Sequence, residues 1–267
     1  MLKKTLHVLK DNPVLIVLYI AYIAAAMLIT ELAFPMYPVG ENPLDILLMF
    51  CKIGLGYLLL CAVGLLFFAG YGHMLSEAVV HGKSSLHGFL PGIKKFFVRV
   101  LVAALLQMAF YIGVTIAISI IMIPITIIFV VSSAGDPMQS VSVISTIFMA
   151  IIFLLMLFAL PFVLLWYPAI FIDDINTIEA LKKGARAGAK AYWKLVLAIF
   201  IIYIPLFVYF AIDNPFKIAL QSTYGHISYS PAYYIFVVTV SLLSMVLLFY
   251  TFTVYEEIRH KLGQLRP

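Results

Sequence analysis

The sequence predicts an all-α, polytopic membrane protein: six transmembrane helices arranged as three repeated hairpins, with short basic amphipathic helices at the cytoplasmic interface. Three observations carry this prediction. The first is composition. The 267 residues are 64% hydrophobic and 11% charged, with mean hydropathy +1.11, whereas soluble domains are about half apolar and a quarter charged. No water-soluble fold of this length hides so much apolar surface, so the solvent must be lipid. The second is a set of six runs free of Asp, Glu, Lys and Arg: residues 12–30, 53–76, 100–135, 137–172, 195–212 and 218–255. Each is close to or beyond the roughly 20 residues that carry a helix across a bilayer. The third is charge asymmetry. Six crossings put fifteen of the 17 Lys and Arg on one face and leave Lys52 and Lys217 on the other. By the positive-inside rule, both termini face the cytoplasm. The net charge of +5 then reports topology. It gives no support to a nucleic-acid partner, because the cations border spans instead of forming a tail or separate domain.

Taken in order, the first span follows Lys3 and Lys4 and runs through Ala24-Ala25-Ala26, a pattern that resembles a secretory signal. Its apolar run continues to full span length, so it reads as a retained helix. The second span holds Cys51 and Cys61. Ten residues of helix separate them by about 15 Å, too far for a disulfide, so they read as small core residues. Gly54, Gly56, Gly64, Gly70 and Gly72, with Gly113 and Ala117 in the third span, allow close helix contact and predict a central second helix. The third and fourth runs exceed what the bilayer requires. Either those helices tilt and protrude, or the segment around Pro124 folds back as a broken helix. The outer loops, 35–44, about 132–141 and 213–231, are too short to fold alone, and the aromatics of the last suit an interfacial belt.

The chain reads as one domain, 1–267, with repeat-like units at about 1–82, 83–174 and 175–267. An apolar-Lys-Lys triplet opens each unit, at Leu2, Ile93 and Leu181, and acids close each inward span: Glu77, then Asp173 and Asp174, then Glu256 and Glu257. The third basic segment is the most developed. Asn176 is placed to cap a helix with Glu179 three residues on. Lys182, Arg186, Lys190 and Lys194 then recur every four residues, opposite Ile178, Leu181, Ala185, Gly188 and Tyr192. Such a helix is predicted to lie in the interface plane with its cations toward anionic headgroups, each worth about 1 kcal/mol at an anionic leaflet. "MLKKTLHVLK" and "SSLHGFLPGIKK" are weaker versions.

Chemistry is sparse. Zincin, nucleophile-elbow, P-loop, redox Cys and dinucleotide motifs are missing, and the six histidines are scattered, so neither an enzyme, a metal nor a cofactor is expected. The two carboxylate pairs read as solvated topology charges, and His73 as an interfacial histidine. Glu31 and Lys52 fall at similar depth near the outer boundary and are candidates for an ion pair. Pro161 and Pro205 lie near mid-depth, where freed backbone groups at a kink bind substrate in transporters.

Residues 167–200, "YPAIFIDDINTIEALKKGARAGAKAYWKLVLAIF", resemble a segment of six-span prokaryotic inner-membrane families, among them the membrane domain attached to some bacterial glycerophosphodiester phosphodiesterases. Pro168, Asp173, Glu179, Ala180, Leu181, Lys182 and Lys194 fit that pattern. The resemblance implies an integral membrane protein and no hydrolase, because the phosphodiesterase barrel is missing. Glu179-Ala180-Leu181 with Gly184 is also similar to the loop by which importer permeases seat on an ATPase, although Leu181 replaces its second Ala and the Gly comes one residue early. The expected function is therefore a non-enzymatic membrane protein that organises lipids or a partner protein at the cytoplasmic leaflet. The alternatives are a transporter or ATP-driven permease subunit with a site at the kinked helices, and an intramembrane enzyme.

Overall fold

The computed structural model describes residues 1–33, 43–132, 148, 151–152, 154–155, 157–212, 221–223, 226–228 and 231–263. Hydrocarbon leaves backbone N–H and C=O groups no water to bond, so a chain this apolar satisfies them within helices. Helices α1 (Leu2–Asp11), α2 (Pro13–Ala33), α3 (Pro43–His81) and α4 (Phe89–Ser132) come first. Then follow α5 (Leu157–Asp173, with a turn at Leu165), α6 (Thr177–Ile212) and α7 (Pro231–Gly263). Five segments are long and apolar enough to cross a membrane: Pro13–Leu32, Phe50–His81, Leu86–Ile125, Thr177–Leu206 and Tyr234–Arg259. The shorter apolar helix α5 covers the C-terminal part of the fourth run. Among the described residues, strands occur in a ribbon before α7. There β1 (Gln221–Thr223) pairs antiparallel with β2 (His226–Ser228), Ser222 opposite Ile227.

Large apolar side chains cover the outside of the bundle: Val17, Leu55, Leu58 and Ile120 are each about two-thirds exposed. In water this would be an aggregating surface; against lipid it is the solvated one. The buried core lies toward the end that carries the basic segments, with Tyr71, Met74, Phe96, Ile170, Phe249 and Tyr255 almost fully enclosed. As the glycines predict, α3 is central and packs against α2, α4, α5 and α7. A Cβ at Gly72 would collide with the Phe171 ring. Gly54 and Gly113, by contrast, face open space, so those two are not contact glycines. Cys51 and Cys61 are exposed. They belong to the outer face of α3, not to its core.

Two further expectations resolve here. Helix α4 runs unbroken through Pro124 to Ser132. Its 44 residues rise about 66 Å, so this helix overshoots the bilayer and does not fold back. The basic segment "IEALKKGARAGAKAYWK" does not form a separate in-plane helix either. It is continuous with the following span as the first half of α6. The outer loops and Lys217 lie outside the described residues, apart from the ribbon and the first residues of α3 and α7.

Three contacts close the chain on itself at the basic end. Asn12 is buried and uses its whole amide. Its Nδ2 donates to Val8 O (2.9 Å) and Gly82 O (3.1 Å), and its Oδ1 accepts from Ser84 N (2.8 Å). Gly82 has φ +80, the left-handed turn that glycine adopts without penalty. Arg99 at the start of α4 meets Asp174 after α5 at 2.7 Å. Lys194 on α6 meets Glu257 on α7 at 3.6 Å.

Candidate functional site

The basic end is organised around two adjacent carboxylates that point different ways. α5 ends with Asp174 in the left-handed region, φ 53, which a short polar side chain tolerates and which turns the chain toward α6. Asp173, with its side chain only 8% exposed, accepts from Lys183 Nζ at 2.5 Å and Arg259 Nη1 at 3.4 Å, and from the Tyr255 hydroxyl. Arg259 Nη1 also donates to Ile172 O at 3.2 Å, and its Nε lies 3.5 Å from Glu256. Asp174, half exposed, pairs with Lys95 Nζ and Arg99 Nη1, both at 2.7 Å. The hydrogen bond from Lys95 is the main reason its carboxyl sits below the usual carboxylate range; partial burial opposes this and Arg99 reinforces it. The two acids thus tie α4, α5, α6 and α7 together. Reading both carboxylate pairs as solvated charges needs correction, because Asp173 and Glu256 are buried. Burial came from packing of α7 on α5, which no local pattern encodes.

Asn176 Oδ1 accepts from Glu179 N at 2.9 Å, a side-chain cap on the first turn of α6. Lys182, Arg186 and Lys190 are exposed and make no ion pair among the described residues. Lys194 differs from them, being held by Glu257. The fully buried face of α6 overlaps the predicted set only at Gly188. Ile178 is 61% exposed, while Ala180, Gly184, Ala187, Gly188, Ala191 and Leu195 are buried. A Cβ would stand 2.6 Å from Leu165 O at Gly184 and 2.5 Å from Pro161 O at Gly188. The small residues of this "soluble-looking" stretch therefore seat α6 directly on the backbone of α5. In membranes, where tails are as apolar as side chains, such close packing drives helix association.

Between the helices lies a half-open cavity of about 630 Å³, within the range of roughly 300–1,000 Å³ typical of ligand pockets. Its walls include Tyr19 and Tyr22 of α2, Gly64, Phe67 and Phe68 of α3, Leu157, Leu160 and Leu164 of α5, and Tyr203 and Leu206 of α6. Neither Pro161 nor Pro205 is among these lining residues; the helices that carry them supply the walls through Leu157, Leu160 and Leu164 and through Tyr203 and Leu206. Tyr22 stacks on Phe67, with ring centroids 4.2 Å apart, and Tyr203 shares a hydrogen bond of 2.9 Å with Ser244 of α7. A smaller cavity of about 200 Å³ shares Tyr19 and Tyr22 and extends along α2 to Thr30 and Glu31, with Tyr234 and Ser241 opposite. Glu31 does not meet Lys52. Its carboxylate accepts from the Tyr234 hydroxyl, and Lys52 makes no ion pair among the described residues. Similar depth on adjacent helices was a necessary condition for that pair, but the Glu31 carboxylate takes its partner from α7 instead.

Other polar groups within the helices are mostly satisfied locally. Gln107 Oε1 accepts from Tyr167 at 2.7 Å, and Thr115 and Ser119 back-bond to Tyr111 O and Thr115 O. His73 lies 3.5 Å from Glu77. Among the described residues no group of three or more His, Cys, Asp or Glu could hold a metal ion. Comparison with curated proteins and with solved structures returns no match. Residues 1–258 match the model of a family described as a domain of unknown function (DUF7847), and the chain belongs to that family.

Proposed function

We propose that this chain is a six-crossing, non-enzymatic protein of a prokaryotic cell membrane that gathers anionic lipid headgroups, or a partner protein, at its cytoplasmic end. The observation that carries the reading is the division of labour on α6. Lys183 and Lys194 are consumed by Asp173 and Glu257, whereas Lys182, Arg186 and Lys190 stay exposed and unpaired among the described residues. Cations needed only for architecture would be neutralised like the first two. Six crossings with cytoplasmic termini are supported by the closures at Asn12–Gly82, Arg99–Asp174 and Lys194–Glu257. Each returns the chain to the basic end after the apolar stretch between its partners.

At about 1 kcal/mol per cation at low ionic strength, changing Lys182, Arg186 and Lys190 together to Gln is expected to weaken retention of phosphatidylglycerol on the order of 100-fold. Native mass spectrometry from detergent or nanodiscs reads this directly. Lys194→Gln, which breaks an exposed pair, should matter far less. Unchanged retention in the triple variant sinks the reading.

A second reading, a transporter or permease subunit, is favoured by the cavity between the Pro161 and Pro205 helices. In that case an ATPase partner would seat near exposed Glu179. Transport lost in Glu179→Ala, with lipid retention intact, selects it over the first.

A further inference from the structure

We infer that the two adjoining cavities form a binding site for a single membrane amphiphile, its amine-bearing head group at Glu31 and its hydrocarbon tail in the mid-depth chamber. This goes beyond the headgroup reading above, since it concerns the opposite end of the bundle and different residues. Three observations converge on it. The larger cavity is walled almost wholly by aromatic and aliphatic side chains, which suits a tail and no polar solute. The smaller one shares Tyr19 and Tyr22 with it and ends at the one charged group that lines either wall among the described residues, the Glu31 carboxylate. From Tyr22 to Glu31 is nine residues, about 14 Å along α2, close to half of a roughly 30 Å hydrocarbon layer. A lipid seated with its head at the boundary spans that same distance to mid-depth.

Charge selects the head group. Among the described residues no Lys, Arg or His lines either cavity, so a phosphate without a compensating cation would meet only a carboxylate there. Tyr234 supplies one hydrogen bond to Glu31, while a carboxylate accepts about four. The remaining capacity suits an ammonium, whose hydrogen bonds to a carboxylate are charge-assisted. The occupant is therefore a lipid of the ethanolamine type, taken from the surrounding bilayer.

The test uses the full chain in a maltoside detergent, titrated with phosphatidylethanolamine and, separately, phosphatidylglycerol of matched chains, with bound lipid counted by native mass spectrometry. Glu31→Gln is expected to weaken ethanolamine-lipid binding about tenfold, the loss of one charge-assisted contact, and to leave phosphatidylglycerol binding unchanged. Gly64→Leu fills the tail chamber, since even a Cβ there would lie 3.2 Å from the Tyr22 hydroxyl, and should likewise reduce ethanolamine-lipid binding. If that variant fails to fold, Leu157→Phe narrows the same chamber from α5 and takes its place. Ethanolamine-lipid binding that survives Glu31→Gln, or survives the filled chamber, overturns the proposal, as does an equal loss of both lipids in Glu31→Gln. Because Lys182, Arg186 and Lys190 are untouched, failure here leaves the headgroup reading standing.

Discussion

Asp173 and Asp174 are chemically alike and each faces two cations, yet neutralising them should have unequal effects. Asp173→Asn preserves shape but removes the charge opposite Lys183 at 2.5 Å and Arg259 at 3.4 Å, in a site where the aspartate is 8% exposed. Removing one member of a buried pair costs about 3–5 kcal/mol, because the other is left desolvated and unpaired. Lys183 and Arg259 are 39% and 30% exposed and regain part of their hydration, so about 2–3 kcal/mol is expected. Asp174→Asn breaks two half-exposed pairs, each worth about 0.2–1 kcal/mol. The measurement is unfolding of the purified chain in mild detergent by denaturant titration, in low salt and again in about 1 M salt, where screening acts within about 3 Å. The Asp174 loss should vanish in high salt and the Asp173 loss should persist. Equal losses, or salt erasing both, would show that packing of α7 on α5 does not shelter Asp173, and the account of the basic end would be wrong.

Two glycines separate contact from composition in the same way. Gly184→Ala sets a methyl 2.6 Å from Leu165 O, and such overpacking costs about 1–3 kcal/mol. Gly54→Ala meets nothing and should be neutral or stabilising by up to about 1 kcal/mol; thermal unfolding of both variants decides, and a loss at Gly54 equal to that at Gly184 contradicts the packing. Acid should act partly through Asp174. Its folded carboxyl is held low by Lys95 and Arg99, so its contribution is complete above the unfolded value near 3.9 and disappears as pH falls through the lower folded one. Unfolding followed from about pH 6 downward should therefore decline less steeply in Asp174→Asn than in the unaltered chain; parallel curves would rule this out.

The Asn176 cap and the central place of α3 were legible because each follows from a local rule: a capping residue before a helix, or small residues along one face. The candidate site was less legible. Glu31 and Lys52 were matched by depth, yet Glu31 bonds to Tyr234 of α7. The buried face of α6 was assigned to Ile178, Leu181, Ala185, Gly188 and Tyr192, although Ile178 points outward and Ala180, Gly184, Ala187 and Ala191 join Gly188 inside. In water a large apolar side chain turns inward. In lipid it has no such preference, and the small residue is drawn to the contact because it lets backbones approach. Tyr19, Tyr22, Phe67 and Tyr203 come from three different helices, and no spacing along the chain announces that they share a wall.

What the sequence determined by itself is the solvent and the polarity of the bundle: an apolar excess that only hydrocarbon accommodates, helices to satisfy the backbone there, and cations gathered at one end. These depend on composition and short-range order. Tertiary structure alone decided which acid is buried, which lysines are neutralised, that α4 continues through Pro124, and where empty space remains between the helices. Those depend on how helices rotate and cross, which in lipid is set by shape and paired polar groups more than by hydrophobicity.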